Sequence, residues 1–95
     1  MLFRSADIFP EARKAAYKLT IDFGELGIRR SSAQITNRYA LEDLLDKLVI
    51  AVVNFPKKQI GPFMSQCLTV GFADERGEIV LAVPDNQVPL GSKLF

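Results

Sequence analysis

The side chains able to do chemistry in this chain are few, and the gaps among them are informative. There is no histidine and a single cysteine, Cys67. The Ser-His-Asp and Cys-His nucleophile systems are therefore excluded, and a zinc ion finds too few nitrogen and sulfur ligands. One cysteine cannot form an internal disulfide, and its expected place is the core. Two clusters of carboxylates stand out: Glu42, Asp43 and Asp46 in an amphipathic segment, and Asp74 and Glu75 beside a glycine turn. Solvated charge is the ordinary reading of both, and no paired-carboxylate motif emerges. No glycine-rich phosphate cradle is present. The sequence points away from an enzyme, offering no catalytic residue, no metal site and no cofactor.

What it does offer is cations and side-chain amides. Twelve Lys and Arg stand against eleven Asp and Glu, a net charge of +1 that by itself draws in no polyanion. Distribution matters more. Between residues 26 and 41 the charged side chains are Arg29, Arg30 and Arg38, and between 47 and 73 they are Lys47, Lys57 and Lys58, with every acid outside both stretches. If folding brings these stretches together, a near-neutral protein carries one basic face; the alternative is scattered, solvated charge.

The elements that must position these groups are legible in the hydrophobic pattern. Tyr17, Leu19, Ile21 and Phe23 alternate with Lys18, Thr20 and Asp22, the period of a strand with one buried face. Gly24 and Gly27 supply a turn, and residues 28–35 read as a returning, unusually polar strand. Leu41, Leu44, Leu45 and Leu48 recur at helical spacing, predicting a short amphipathic helix from about Ala40 with acids in its first turn. Residues 48–53 are apolar on both faces, as in a buried central strand, and Pro56 ends that run. Residues 57–65 read as a loop with two charges and three large apolar groups. Residues 67–72 and 78–83 flank a hairpin turn ending at Gly77.

Strand, strand, strand, helix, strand, strand is the order of an all-β, five-stranded Greek-key OB-fold barrel, with a short capping helix and here a C-terminal extension. Its first strand reads as truncated, since only residues 1–8 precede Phe9-Pro10. Ninety-five residues, 48% of them apolar, suit a single domain over 1–95 with one core and no cleft between domains. The longest apolar run, 48–53, is far short of the roughly 20 residues of a membrane-spanning helix. The start Met1-Leu2-Phe3-Arg4 lacks a signal peptide's apolar centre, so the expected location is cytoplasmic, without membrane insertion.

Four motifs in order, Phe9-Pro10-Glu11-Ala12-Arg13-Lys14, Tyr17-Lys18-Leu19-Thr20-Ile21-Asp22-Phe23-Gly24, Ser31-Ser32-Ala33-Gln34-Ile35-Thr36 and Val52-Val53-Asn54-Phe55-Pro56, resemble the CsaA-type secretion chaperones. The likeness covers residues 6–95 and continues through Gln59-Ile60-Gly61, Ser65 and the closing Lys93-Leu94-Phe95. These chaperones belong to a wider group of tRNA-binding OB domains, also found at the C-terminus of bacterial methionyl-tRNA synthetases. The chain departs from the family where a helix-starting Thr-Pro pair is replaced by Ala40-Leu41, a lost cap worth about 1 kcal/mol. It also begins near the end of the family's usual first-strand motif.

In OB domains the ligand lies across the second and third strands and the flanking loops. Those positions hold Arg29, Arg30, Ser32 and Gln34, then Asn54, Lys57, Lys58, Gln59 and Ser65. Cations neutralise phosphates, and hydroxyls and amides bond phosphate, ribose or base edges. The resemblance implies a structured tRNA region as ligand, with Lys57 and Lys58 on phosphates and Ser65 in the binding loop. Each residue also has a purely structural reading as exposed strand or turn. Phe55, Phe63 and Met64 are either core or contacts for bases or for apolar side chains of an unfolded preprotein. Val88, Leu90, Leu94 and Phe95 make the tail too apolar to hang free; it packs either on its own barrel or across a twofold homodimer interface. The leading expectation is a CsaA-like export chaperone that binds unfolded preproteins or export machinery and also tRNA. The alternatives are a free-standing tRNA-binding protein and an appended aminoacyl-tRNA synthetase domain.

Overall fold

The computed structural model describes residues 1–10, 15–54 and 56–94. Phe55 and Phe95 lie outside the described residues. The alternation in residues 17–22 produces the strand it predicts. Leu2–Ile8 (β1), Tyr17–Asp22 (β2) and Ile28–Ala33 (β3) form an antiparallel sheet in the order β1-β2-β3. A one-turn helix, Leu41–Leu44 (α1), follows. Six short strands complete the described architecture: Ala51–Val52 (β4), Lys58–Ile60 (β5), Phe63–Ser65 (β6), Leu68–Thr69 (β7), Gly71–Ala73 (β8) and Ile79–Leu81 (β9). They pair as β4-β7, β5-β6 and β8-β9, so the protein is mostly β with very little helix.

Several elements differ from the pattern-based reading. The first strand extends over seven residues: β1 pairs with β2 from Leu2↔Asp22 to Ile8↔Tyr17, with a bulge at Arg4. The helix stops after one turn. Asp43 accepts the Ala40 N–H, but Ala40 has no side-chain oxygen with which to return a bond. Asp46 then turns left-handed at φ 63, which leaves Leu45 exposed while Leu44 is fully buried. The apolar run 48–53 is not a sandwiched strand either. Only Val49 of it is buried, and Ala51 and Val52 are half-covered. Residues 58–65 form a hairpin around Gly61-Pro62, with Gly61 at φ 56, where the pattern read as a loop.

Isolated backbone bonds join the four sheets rather than one continuous ladder. Val49 N–H donates to the Met1 carbonyl and Phe3 N–H to that of Lys47. Ile50, Val70 and Ala82 bond in a cycle, each N–H donating to the next carbonyl at 3.0 to 3.2 Å. Inside this frame lie Phe3, Leu19, Ile21, Ile35, Leu44, Val49 and Cys67, all essentially inaccessible. Burying each large side chain contributes about 1.5 to 3 kcal/mol. The Tyr17 hydroxyl donates to the Tyr39 carbonyl, and the Tyr39 hydroxyl accepts the Leu81 N–H, which keeps this apolar interior free of orphaned polar groups. No helix among the described residues is long and apolar enough to cross a membrane.

The tail is held by backbone contact. A Cβ on Gly24 falls 2.6 Å from the Leu90 carbonyl oxygen, and one on Gly91 meets the Phe23 carbonyl. Gly91, at φ 88, also donates its N–H to Met1 Sδ. Val88 packs against the protein's own core, whereas Leu90 is half-buried and Leu94 exposed. Gly77 has a similar φ of 78 with open space around it. Gly77→Ala is thus expected to lose only the left-handed backbone cost of about 1 kcal/mol, and Gly91→Ala about 3 kcal/mol, because the clash adds to it. Chemical denaturation of both variants checks the difference, and equal losses would remove the tail latch.

Candidate nucleic-acid interface

The register of β2 and β3 decides where the arginines point. Lys18 lies opposite Ser32 and Thr20 opposite Arg30, which puts these four on the outer face of the sheet. Arg29 pairs with buried Ile21 and Ser31 with buried Leu19, so the two arginines diverge to opposite faces. Beside the outer face stands the β5–β6 hairpin. Between them opens a recess of about 1050 Å³ whose walls carry Ser32 and Gln34 from the β3 side and Lys58, Gln59 and Ser65 from the hairpin. Five of the nine residues selected as nucleic-acid ligands thus meet in one place.

The others do not line it. Lys57 is exposed at the hairpin's start, Arg29 is half-buried on the inner face, and Asn54 borders a different groove. Ser65 is buried, and its hydroxyl donates to the Cys67 carbonyl at 3.2 Å. That carbonyl also accepts the Ser31 hydroxyl at 3.0 Å, and Thr69 donates to Ser31 at 3.0 Å. Ser65, Cys67 and Thr69, which line the recess, are thus tied into one polar network with buried Ser31 behind them. Acids placed outside the basic stretches by sequence do reach one of them: Arg38 pairs with Asp74 at 3.3 Å and with Glu78 at 4.0 Å. Lys58 and Arg30 have no carboxylate partner among the described residues.

Phe63 is not an exposed contact. It is 4% accessible, its ring lies 5.3 Å from that of Phe9 at 57°, and the Arg30 guanidinium sits 4.6 Å above it. Lys18 Nζ covers Phe9 at 5.5 Å. Met64, between the two buried residues of β6, stays partly exposed. Lys18 and Phe9 were passed over in the sequence, although the alternation of residues 17–22 already placed Lys18 on the outer face.

A second groove, of about 650 Å³, runs along residues 50–54, Leu26, Val88 and Leu94. It is mainly aliphatic, and the exposed Leu26 and Leu94 stand at its margin.

This is a small, mostly β domain with a recess whose rim carries Ser32, Gln34, Lys58 and Gln59 over a largely apolar wall, and with a separate aliphatic groove. The chain belongs to the family described as "Putative tRNA binding domain", which matches residues 3–93. Within it the chain is CsaA-like: it is 47% identical to the chaperone CsaA of Bacillus anthracis str. Ames, with a TM-score of 0.93 over 99% of this chain and 86% of that one. The CsaA chaperone protein of Picrophilus torridus is similar at 45% identity, with a TM-score of 0.92 over 99% and 86% of the two chains. Among curated proteins, the methionine–tRNA ligase of Pyrococcus horikoshii is 34% identical over 90% of this chain, which spans 11% of the ligase's length.

Burial pushes the Cys67 thiol above its ordinary value, partly offset by the neighbouring Ser31 hydroxyl and the charge of Arg29. Folding thus favours the neutral thiol. That contribution is complete below the ordinary thiol range and is lost as pH rises through and above it. At pH 8 the native protein should react with a maleimide at least tenfold more slowly than the denatured chain, and midpoint denaturant should fall between pH 8 and 10 less in Cys67→Ala than in the parent. Equal alkylation rates would contradict the buried thiol.

Proposed function

We propose that this chain is a CsaA-like, non-enzymatic export chaperone that contacts tRNA through the β3–hairpin recess. The observation that carries the RNA reading is the meeting of Ser32 and Gln34 with Lys58 and Gln59 around one opening. Hydroxyl and amide groups with a flanking ammonium match ribose and phosphate chemistry, and a recess recognises shape more than base sequence. The four sheets do not close into a continuous barrel, but the cross-sheet bonds of residues 47–50, 66, 70 and 82 support an OB-type arrangement over a single domain 1–95. The setting proposed is cytoplasmic.

The aliphatic groove favours a second ligand, an extended apolar stretch of an unfolded preprotein. Its walls, Val52, Val53, Leu26 and Leu94, offer dispersion and burial without directional bonds, suited to varied sequences. The groove also adjoins the tail through which a homodimer is proposed. Asn54 belongs with this groove by position, and Met64 with the hairpin. An appended synthetase domain is the competing reading, since the chain matches only a small part of the ligases.

Lys58→Ala should weaken tRNA binding about threefold to tenfold at low salt and reduce the slope of log affinity against log salt by about 0.7 to 0.9, the counterion release of one phosphate contact. Lys57→Ala should do the same to a smaller extent. Filter binding across a salt series measures both, and an unchanged slope in Lys58→Ala would remove the recess from the RNA interface. Separately, Leu94→Asp should lose at least half of the suppression of aggregation of an unfolded client, read by light scattering, while tRNA affinity stays within twofold. Retained suppression would exclude the groove as the polypeptide site.

A further inference from the structure

At the edge of the recess, which Phe9 helps to line, stands the covered aromatic pair Phe9 and Phe63. It is absent from the main core cluster, although both rings are almost inaccessible. Register explains why. Phe9 bonds through its N–H to Ala16, one step beyond Tyr17, and so shares the outward parity of Lys18; the pair is a small apolar layer laid on the outer face of β2 and β3. Its lids are cations: Lys18 over Phe9, and Arg30 over Phe63.

We infer that Arg30, held over Phe63, is a stacking platform for an unpaired nucleobase of the bound RNA, an inference that rests on the tRNA reading above. Three observations carry it. Arg30 is exposed while the ring beneath it is 4% accessible, so one side of the guanidinium is covered and the other open. Among the described residues it has no carboxylate partner, unlike Arg4 with Asp22 or Arg38 with Asp74. Its backbone is fixed on both sides, the N–H donating to Gln66 Oε1 at 2.9 Å and the carbonyl accepting the Gln66 N–H at 2.7 Å. A delocalised planar cation so placed stacks on a base with little ordering cost, whereas a lysine at the same position retains only the charge. The adjoining outer-face residue on the same strand, Ser32, opens into the recess, so the base would lie next to the phosphate-binding edge.

The test compares Arg30→Lys, Arg30→Ala and Lys58→Ala against a tRNA with unpaired loops and a fully paired RNA duplex. Arg30→Lys should bind tRNA about tenfold more weakly than the parent, within the range for losing one stacked base, with an unchanged salt slope, and should bind the duplex within twofold of the parent. If Arg30→Lys matches the parent on tRNA while Arg30→Ala loses affinity and about one unit of slope, Arg30 is a phosphate contact and the inference is overturned. If neither Arg30 variant changes binding but Lys58→Ala does, the inference fails and the tRNA reading stands. A parent protein that binds neither RNA overturns both. Circular dichroism of Arg30→Lys, expected to match the parent because a long cationic stem is retained over Phe63, keeps loss of fold from imitating the predicted effect.

Discussion

The joint between Arg30 and Gln66 is the contact on which the ligand face depends. β3 belongs to one sheet and the β5–β6 hairpin to another, with no shared ladder between them. What fastens them is the reciprocal pair of bonds between Arg30 and Gln66, backed by the Ser31 and Ser65 hydroxyls converging on the Cys67 carbonyl. A buried carbonyl with two donors is fully satisfied, and loss of both hydroxyls would leave it unpaired at a cost of about 1 to 3 kcal/mol. The recess therefore inherits its shape from a polar junction and not from sheet continuity. Ser31 is wholly buried for this reason, on a strand whose polarity would otherwise suggest solvent.

That same polarity explains how far the sequence could be read. Alternation in residues 17–22 is unambiguous because Tyr17, Leu19 and Ile21 all enter the core, and the strand appears as the pattern demands. The hairpin of residues 58–65 was invisible because each strand is three residues long: Gln59 and Met64 share one face and Lys58, Ile60, Phe63 and Ser65 the other, too short on each side of Gly61-Pro62 to show a period. Helical spacing over Leu41, Leu44, Leu45 and Leu48 overstated α1, since spacing reports compatibility with a helix and not where the chain leaves it; the missing cap at Ala40 and the left-handed Asp46 decide that. Residue types at the site were readable, but their sidedness was not. Arg29 and Arg30 are chemically equal in sequence, and only their partners Ile21 and Thr20 separate them.

Charge was legible in kind and misleading in detail. A chain of net charge +1 reaches polyanions only by sorting its cations from its acids. Two of the six cations in the basic stretches turn away from that use, Arg38 into its pairs with Asp74 and Glu78, and Lys47 over the Tyr39 ring at 5.9 Å. Asp74 is doubly engaged, since its other carboxylate oxygen accepts the N–H groups of Arg76 and Glu78 and so shapes the β8–β9 turn. Arg38 thus ties that hairpin to the segment after β3. Because exposed ion pairs contribute at most about 1 kcal/mol, its effect is geometric, keeping Ile79 and Leu81 at the far wall of the recess.

The recess and the aliphatic groove flank the shortest ladder among the described residues. β4 gives Ala51 and Val52 to the groove, and its partner β7 gives Leu68 and Thr69 to the recess, with only two residue pairs joining them. Two pairs fix little on their own, since a ladder gains stability from its length and from the side chains packed across it. The ladder is steadied from outside, by Val70 and Ile50 within the three-membered backbone cycle and by Thr69 bonding to Ser31. The groove and the recess are thereby bounded by one backbone unit, the pair that holds Thr69 against Ser31. One short strand pair can in this way border two separate openings, because the half-buried Thr69 hydroxyl, bonded to Ser31, keeps it in register.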